Sequence, residues 1–171
     1  MDMRLRIAIA GTALFLVAAP GTLAGLIPWW ISGWRMLPPI LGWTLLRPAG
    51  VVLMIAALPV LLDCFARFAL EGIGTPAPVL PTQSLVVTGW YHHVRNPMYV
   101  AVVTLILGQG LLLGNVGLLE YGAMVWLGFH LFVLIYEEPT LRRTYGDDYE
   151  RFCANVPRWV PRLRPWKGGR P

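Results

Sequence analysis

The feature that most constrains this chain is the length of its stretches without formal charge. No charged side chain occurs over 28 residues from Ile7 to Trp34, over 22 from Met98 to Leu119, or over 16 from Tyr121 to Tyr136. About 20 consecutive apolar residues in a helix cross the hydrocarbon core of a bilayer. Water is absent there, so a lone segment must pair its own backbone N–H and C=O groups, and the helix does this. Composition agrees: only 13% of the 171 residues are charged, against roughly 25% in soluble domains. The expectation is an all-α integral membrane protein, a single domain over residues 1–171, with about four transmembrane helices.

Breakers set the boundaries. A first helix is expected over residues 5–27. Arg4 and Arg6 followed by an apolar run resemble the start of a signal peptide, but apolar character persists through Trp29, Trp30 and Ile31. That is longer than a cleaved segment needs, so a retained helix is expected. Trp29, Trp30 and Trp34 suit an aromatic belt. Pro38 and Pro39 interrupt the chain, and residues 40–46 are expected to be a short interfacial stretch. A second helix is expected over 47–70. Gly72, Gly74, Pro76, Pro78 and Pro81 follow, a loop that cannot be regular helix. Pro97 suits the first turn of a third helix, 97–114, closed by Gly114-Asn115. A fourth helix is expected over 117–138. The tail 139–171 should carry an amphipathic helix over about 141–152, then irregular chain set by Pro157, Pro161 and Pro165.

Charge orients these helices. Eight of the fourteen basic residues follow Pro139, as befits a cytoplasmic flank in contact with anionic headgroups. Arg4 and Arg6 stand at the other end. Four crossings put both ends on the cytoplasmic side, with Arg35 and Arg47 facing outward. The net charge of +5 therefore reads as membrane sidedness; no basic-aromatic module points to nucleic acid. Cys64 and Cys153 form neither a disulfide framework nor a metal-binding spacing, so no metal is expected.

The third and fourth helices form a hairpin. From Pro97 to Asn115 is about 27 Å, and from Gly117 to Glu137 about 30 Å, at 1.5 Å per residue. The chain should leave one membrane surface beside Arg95 and return to it at Glu137-Glu138. Asp63 and Arg67, four apart, share a face of the second helix near the same surface. His130 lies seven residues before Glu137, on one stripe of the fourth helix. Ionisable groups at membrane depth are costly and line cavities, so these residues suggest one cytoplasmic-side pocket. Plainer readings exist for two of them: Asp63 with Arg67 as a neutralising pair, and His130 as a helix-to-helix hydrogen bond. Glu137-Glu138 is less easily explained by structure, because acidic groups at a helix C-terminus oppose the macrodipole.

The succession Arg95-Asn96-Pro97-Met98-Tyr99, Tyr136-Glu137-Glu138-Pro139, Tyr145-Gly146-x-x-Tyr149 and Val156-Pro157-Arg158-x-x-Pro161 resembles the membrane methyltransferases that include isoprenylcysteine carboxyl methyltransferase and the phospholipid N-methyltransferases. Gly72–Pro78 and Leu85–Gly89 look like a bacterial branch of it. The resemblance implies S-adenosylmethionine as methyl donor, S-adenosylhomocysteine as product, and a cofactor pocket near the cytoplasmic surface closed by the C-terminal tail. It also implies a bacterial inner-membrane location and a lipid or lipidated acceptor. Arg95, Pro97, Tyr99, Glu137 and Glu138 match the family's cofactor and catalytic boxes. Gly50, in Pro48-Ala49-Gly50, is the counterpart of a Gly-x-Gly that the phospholipid enzymes carry in an earlier helix. Asn96 stands where the carboxyl methyltransferases have histidine, which is closer to the phospholipid branch.

The chemistry needs alignment and exclusion of water. Glu137 or Glu138 would bind the donor's ammonium or ribose, and Arg95 its carboxylate. An amine acceptor would need a base, Glu138 or His130. A carboxylate acceptor would need a cation, Arg95 or Arg67, with Asp63 beside it. The alternatives are a non-catalytic membrane scaffold and a small transporter; the latter predicts an internal repeat and helices interrupted at mid-membrane.

Overall fold

The computed structural model describes residues 3–70, 85 and 87–167, with side chains over residues 10–67, 85 and 87–167. The glycine- and proline-rich loop expected over 72–81 lies outside the described residues, as do the side chains of Arg4 and Arg6. Among the described residues the secondary structure is entirely helical. Among these residues three helical stretches are long and apolar enough to cross a membrane: Ala10–Ser32, Leu46–Arg67 and Val116–Tyr145.

The first span comprises α1 (Met3–Ala18), a π-helical turn (Thr22–Leu26) and α2 (Ile27–Ser32). The turn has a cost that is met elsewhere in the fold. The Ile27 amide donates to the carbonyl of Thr22 rather than Leu23. Pro28 has no N–H to offer Ala24. Both released carbonyls take side-chain donors from other helices: Tyr121 Oη donates to Leu23 at 3.0 Å and Gln109 Nε2 to Ala24 at 2.8 Å. In lipid such groups must be paired within the protein.

The second span is α3 (Leu46–Leu70). α4 (Pro97–Leu113), 17 residues and apolar, packs between α3 and α5 (Val116–Phe132). Ala101, Val102 and Ile106 of α4 are buried with Ala57, Leu61, Cys64 and Phe65 of α3. The two helices approach closely at Gly50 of α3: a Cβ there would stand 2.5 Å from the Gly108 carbonyl oxygen and 2.7 Å from the Leu112 amide nitrogen. α4 ends as the Gly114-Asn115 signal predicts. Gly114 adopts φ +70°, and Asn115 caps α5 through its side chain, accepting from the Leu118 amide at 3.2 Å. At this end Leu37 donates its amide to Leu113 at 2.8 Å. Residues 40–42 form one 3-10 turn, and exposed Trp30, Trp34 and Trp43 flank it.

The third span departs from expectation. The helix does not stop at Glu138. It passes through a second π-helical turn (Val133–Glu137) and continues as α6 (Glu138–Tyr145). Pro139 is tolerated because it falls in the first turn of α6, next to a turn whose bonding is already displaced. Glu137 and Glu138 therefore do not oppose a helix C-terminus. The amphipathic helix expected over 141–152 is instead broken at Gly146, whose φ of 51° and ψ of −125° suit glycine alone, and α7 (Asp147–Asn155) follows. From Val156 the chain is irregular and lies back along residues 92–96.

Candidate functional site

The hairpin returns Arg95 and the twin glutamates to one end of the bundle. Arg95 Nη1 lies 3.1 Å from Glu138 Oε1, and Tyr99 Oη donates to Glu137 Oε2 at 2.8 Å. Arg95 stands just before α4 because Pro97, buried at its first turn, forces the preceding residues out of helix. Tyr99 is one turn further on, its ring stacked on Phe129 of α5 at 4.4 Å.

The two adjacent glutamates have opposite environments. Glu138 is buried and saturated with cations. Arg158 holds it with two hydrogen bonds, Nε to Oε1 at 2.6 Å and Nη2 to Oε2 at 3.0 Å. Arg95 adds a third contact, and Arg142 approaches to 4.0 Å. The carboxylate beside it raises the pKa of the Arg158 guanidinium above its usual value. Glu137 accepts the Tyr99 hydroxyl, and among the described residues no cation pairs with it. A carboxylate at membrane depth without a counter-ion is costly. A ligand cation would meet that need.

A second unmet group lies close by. Arg95 Nη1 donates to Cys153 Sγ at 2.8 Å, but its Nε is buried without a hydrogen-bond partner among the described residues, as is Nδ1 of His92. A buried donor left unpaired costs about 1–3 kcal/mol. Tyr91 and Tyr149 complete the surroundings. Burial pushes the hydroxyl of Tyr91 well above the usual phenol range, and its neighbours Cys64 and Glu137 push it further. Tyr149, buried beside Cys153, moves the same way.

The tail covers this end. Arg95 donates its amide to Pro157 at 2.9 Å, and Asn96 Nδ2 to the Arg158 carbonyl at 3.1 Å. Arg162 donates to His93 at 2.9 Å, and Trp166 to His92 at 3.0 Å. The residues Val156–Trp166 thus form a strap bonded along its length to the segment that leads into α4.

Arg95, Pro97, Tyr99, Glu137 and Glu138 are accordingly gathered at one place. Asp63 and Arg67 form an intrahelical ion pair of 2.8 Å, and the Arg67 guanidinium lies over the backbone of Gly89. They border the site through Cys64 and Tyr91, while the partners that hold the glutamates among the described residues are Tyr99, Arg95, Arg142 and Arg158. His130 meets Trp126 and Trp159. The π-helical turn inserts a residue between His130 and Glu137, so the shared stripe expected for them is broken. Gly50 is not part of the cluster. It packs on Gly108, eleven residues or roughly 16 Å along α4 from Pro97, and its lack of a side chain serves helix contact. Arg158 is the residue whose role spacing did not reveal. It stands in the Val156–Pro161 motif, but nothing in sequence pairs it with a glutamate 20 positions earlier.

The family described as phospholipid methyltransferase matches residues 45–148, a stretch running from α3 to Asp148 that includes Arg95, Tyr99, Glu137 and Glu138. The chain is 37% identical over 78 residues to Protein-S-isoprenylcysteine O-methyltransferase of Schizosaccharomyces pombe, covering 45% of this chain and 33% of that protein. It is 31% identical over 70 residues to an uncharacterized protein of Haemophilus influenzae, covering 37% of this chain and all of that one. The chain thus spans about a third of the length of the Schizosaccharomyces pombe protein. No solved structure matches it. With more than half its length matched, and with the arginine, tyrosine and paired glutamates gathered at one end of the bundle, the chain belongs to the phospholipid methyltransferase family.

Proposed function

We propose that this protein transfers a methyl group from S-adenosylmethionine to a lipid-like acceptor at the cytoplasmic membrane surface. The observation that carries the reading is the juxtaposition of Glu137, a carboxylate with no counter-ion among the described residues, and Arg95, whose buried Nε has no acceptor among them. The amino-acid end of S-adenosylmethionine presents the complementary pair, an ammonium and a carboxylate. When bound, S-adenosylmethionine supplies a methyl group made electrophilic by its sulfonium.

Glu137 takes the ammonium, held by the Tyr99 hydroxyl. Arg95 Nε takes the carboxylate while Nη1 stays on Glu138. Glu138, saturated by guanidinium groups, acts as an anchor: it fixes Arg95 in place and ties the strap down through Arg158. The strap excludes water, which would otherwise compete for these charges. The acceptor's lone pair forms the new bond to carbon as the carbon–sulfur bond breaks, leaving a neutral thioether; an amine acceptor then releases a proton. Acceptors of the phospholipid-amine and isoprenylcysteine-carboxylate types both suit a helical site open to lipid.

In this reading α4 is a fourth crossing, and both ends of the chain face the cytoplasm of a bacterial inner membrane. Maleimide labelling of a V160C variant in inside-out vesicles, with none in sealed cells, would support that orientation; the reverse would overturn it. The function is tested with purified protein, S-adenosylhomocysteine in a calorimetric titration, and labelled S-adenosylmethionine with a total membrane lipid extract. Saturable binding and a labelled lipid are expected. A folded protein that binds neither compound would refute the proposal.

A further inference from the structure

His130 carries an unexpected bond. Its Nδ1 accepts the indole N–H of Trp159 at 3.0 Å, while its ring stacks on Trp126 at 5.2 Å and 14°. The indole nitrogen is a donor only. A neutral imidazole that accepts at Nδ1 carries its hydrogen on Nε2 and has no lone pair left for proton abstraction. The arrangement therefore does not suit a general base.

What the bond does follows from its place on the strap. Trp159 is the immediate neighbour of Arg158. The two residues attach to the same helical span eight residues apart, at His130 and Glu138, roughly 12 Å along the axis. Their own Cα atoms are only about 3.8 Å apart, so the side chains diverge and clasp two separate turns. One attachment is an ion pair, the other a neutral hydrogen bond backed by ring contact. The opposite edge of the strap hangs on residues 92–96. Release of Trp159 leaves Arg158 as the strap's side-chain hold on this span and frees it to pivot.

We infer that His130 is a positioning residue: through Trp159 it seats Arg158 on Glu138 and keeps the strap closed over the Arg95–Glu137 site. The inference rests on the cofactor reading above for its kinetic consequence, but not for its structural one.

Two variants separate the bond from the ring. His130→Phe keeps stacking on Trp126 and removes the acceptor. His130→Asn loses the ring but places an oxygen near the position of Nδ1. A hydrogen bond of about 1 kcal/mol corresponds to roughly a fivefold effect. His130→Phe should raise the S-adenosylhomocysteine Kd and the KM for S-adenosylmethionine roughly fivefold, with kcat nearly unchanged, and His130→Asn should restore both. A base would show the reverse: a fall in kcat, with KM spared and no rescue by Asn. Hydrogen exchange at the Arg162 and Trp166 amides, which donate to His93 and His92, reads strap closure without any cofactor. Faster exchange in His130→Phe than in wild type is expected, with protection recovered in His130→Asn. Wild-type protection in His130→Phe would overturn the inference. If the wild type bound no S-adenosylhomocysteine while exchange still responded to His130→Phe, the latch would stand and the cofactor reading would fall.

Discussion

Two neighbouring glutamates of the same chemistry should fail in opposite ways. Glu138 has a side chain only 7% exposed and stands against Arg95, itself 11% exposed, and Arg158. Glu138→Gln preserves shape but leaves two guanidinium groups facing each other without a counter-charge. Removing one partner of a buried ion pair costs about 3–5 kcal/mol. For a chain of this size that is a fall in apparent melting temperature on the order of 10 °C. Glu137→Gln is different. The amide oxygen still accepts the Tyr99 hydroxyl, and a charge with no counter-ion among the described residues is removed, so the melting temperature should hold or rise. What Glu137→Gln should lose is ligand affinity. A charge-assisted hydrogen bond contributes about 1.5–3 kcal/mol, so the S-adenosylhomocysteine Kd should rise roughly 10- to 150-fold. Thermal unfolding in detergent, followed by calorimetric titration of the folded protein, checks both. The assignment is refuted if Glu138→Gln melts like wild type, or if Glu137→Gln binds as tightly as wild type.

Three further outcomes follow from the same geometry. Gly50→Val should push α3 from α4, because its Cβ meets backbone atoms of Gly108 and Leu112; overpacking of about 1–3 kcal/mol is expected. It should appear as a lower melting temperature with unchanged S-adenosylhomocysteine affinity, and a selective loss of affinity would return Gly50 to the site. Gln109→Leu should leave the Ala24 carbonyl without its side-chain donor, a cost near 1 kcal/mol for an interhelical bond in a membrane, again read by thermal unfolding; unchanged melting would count against that bond. Arg95→Lys should retain a charge for Glu138 but lose the forked donors that serve Glu138, Cys153 and the ligand together. Weaker S-adenosylhomocysteine binding with a smaller melting shift than Glu138→Gln is expected, and wild-type affinity would contradict it.

Much of this arrangement was readable beforehand. Charge-free runs disclose helical spans because lipid tolerates little else, and Pro97 and Gly114 mark the ends of α4 by local backbone chemistry. The meeting of Arg95 with Glu138 followed from two helix lengths that nearly match. The π-helical turns were not readable. Inserting one residue into an apolar helix changes neither hydropathy nor length perceptibly, yet it rotates everything beyond it, which is why His130 and Glu137 part company. Nor was the fate of Glu137-Glu138 at a supposed helix end, since a proline one position later reads equally as a stop or as the first turn of a continuing helix. Arg158 was hidden because its partnership depends on how an irregular tail folds back, and such a tail has no periodicity to read. Gly50 was matched to a motif by position, but a glycine that admits a neighbouring helix and one that admits a ligand look alike in sequence.

The strap has a consequence for biosynthesis. Glu138 is translated 20 residues before Arg158, about 1–4 s at 5–20 residues per second. Emergence from the ribosome follows in the same order, so for a comparable interval the carboxylate has Arg95, and then Arg142, as its cations among the described residues. The strap's hold on Glu138 is therefore made after the membrane segments themselves, and a chain held with Glu138 outside the ribosome and Arg158 still inside would have its helices without that closure.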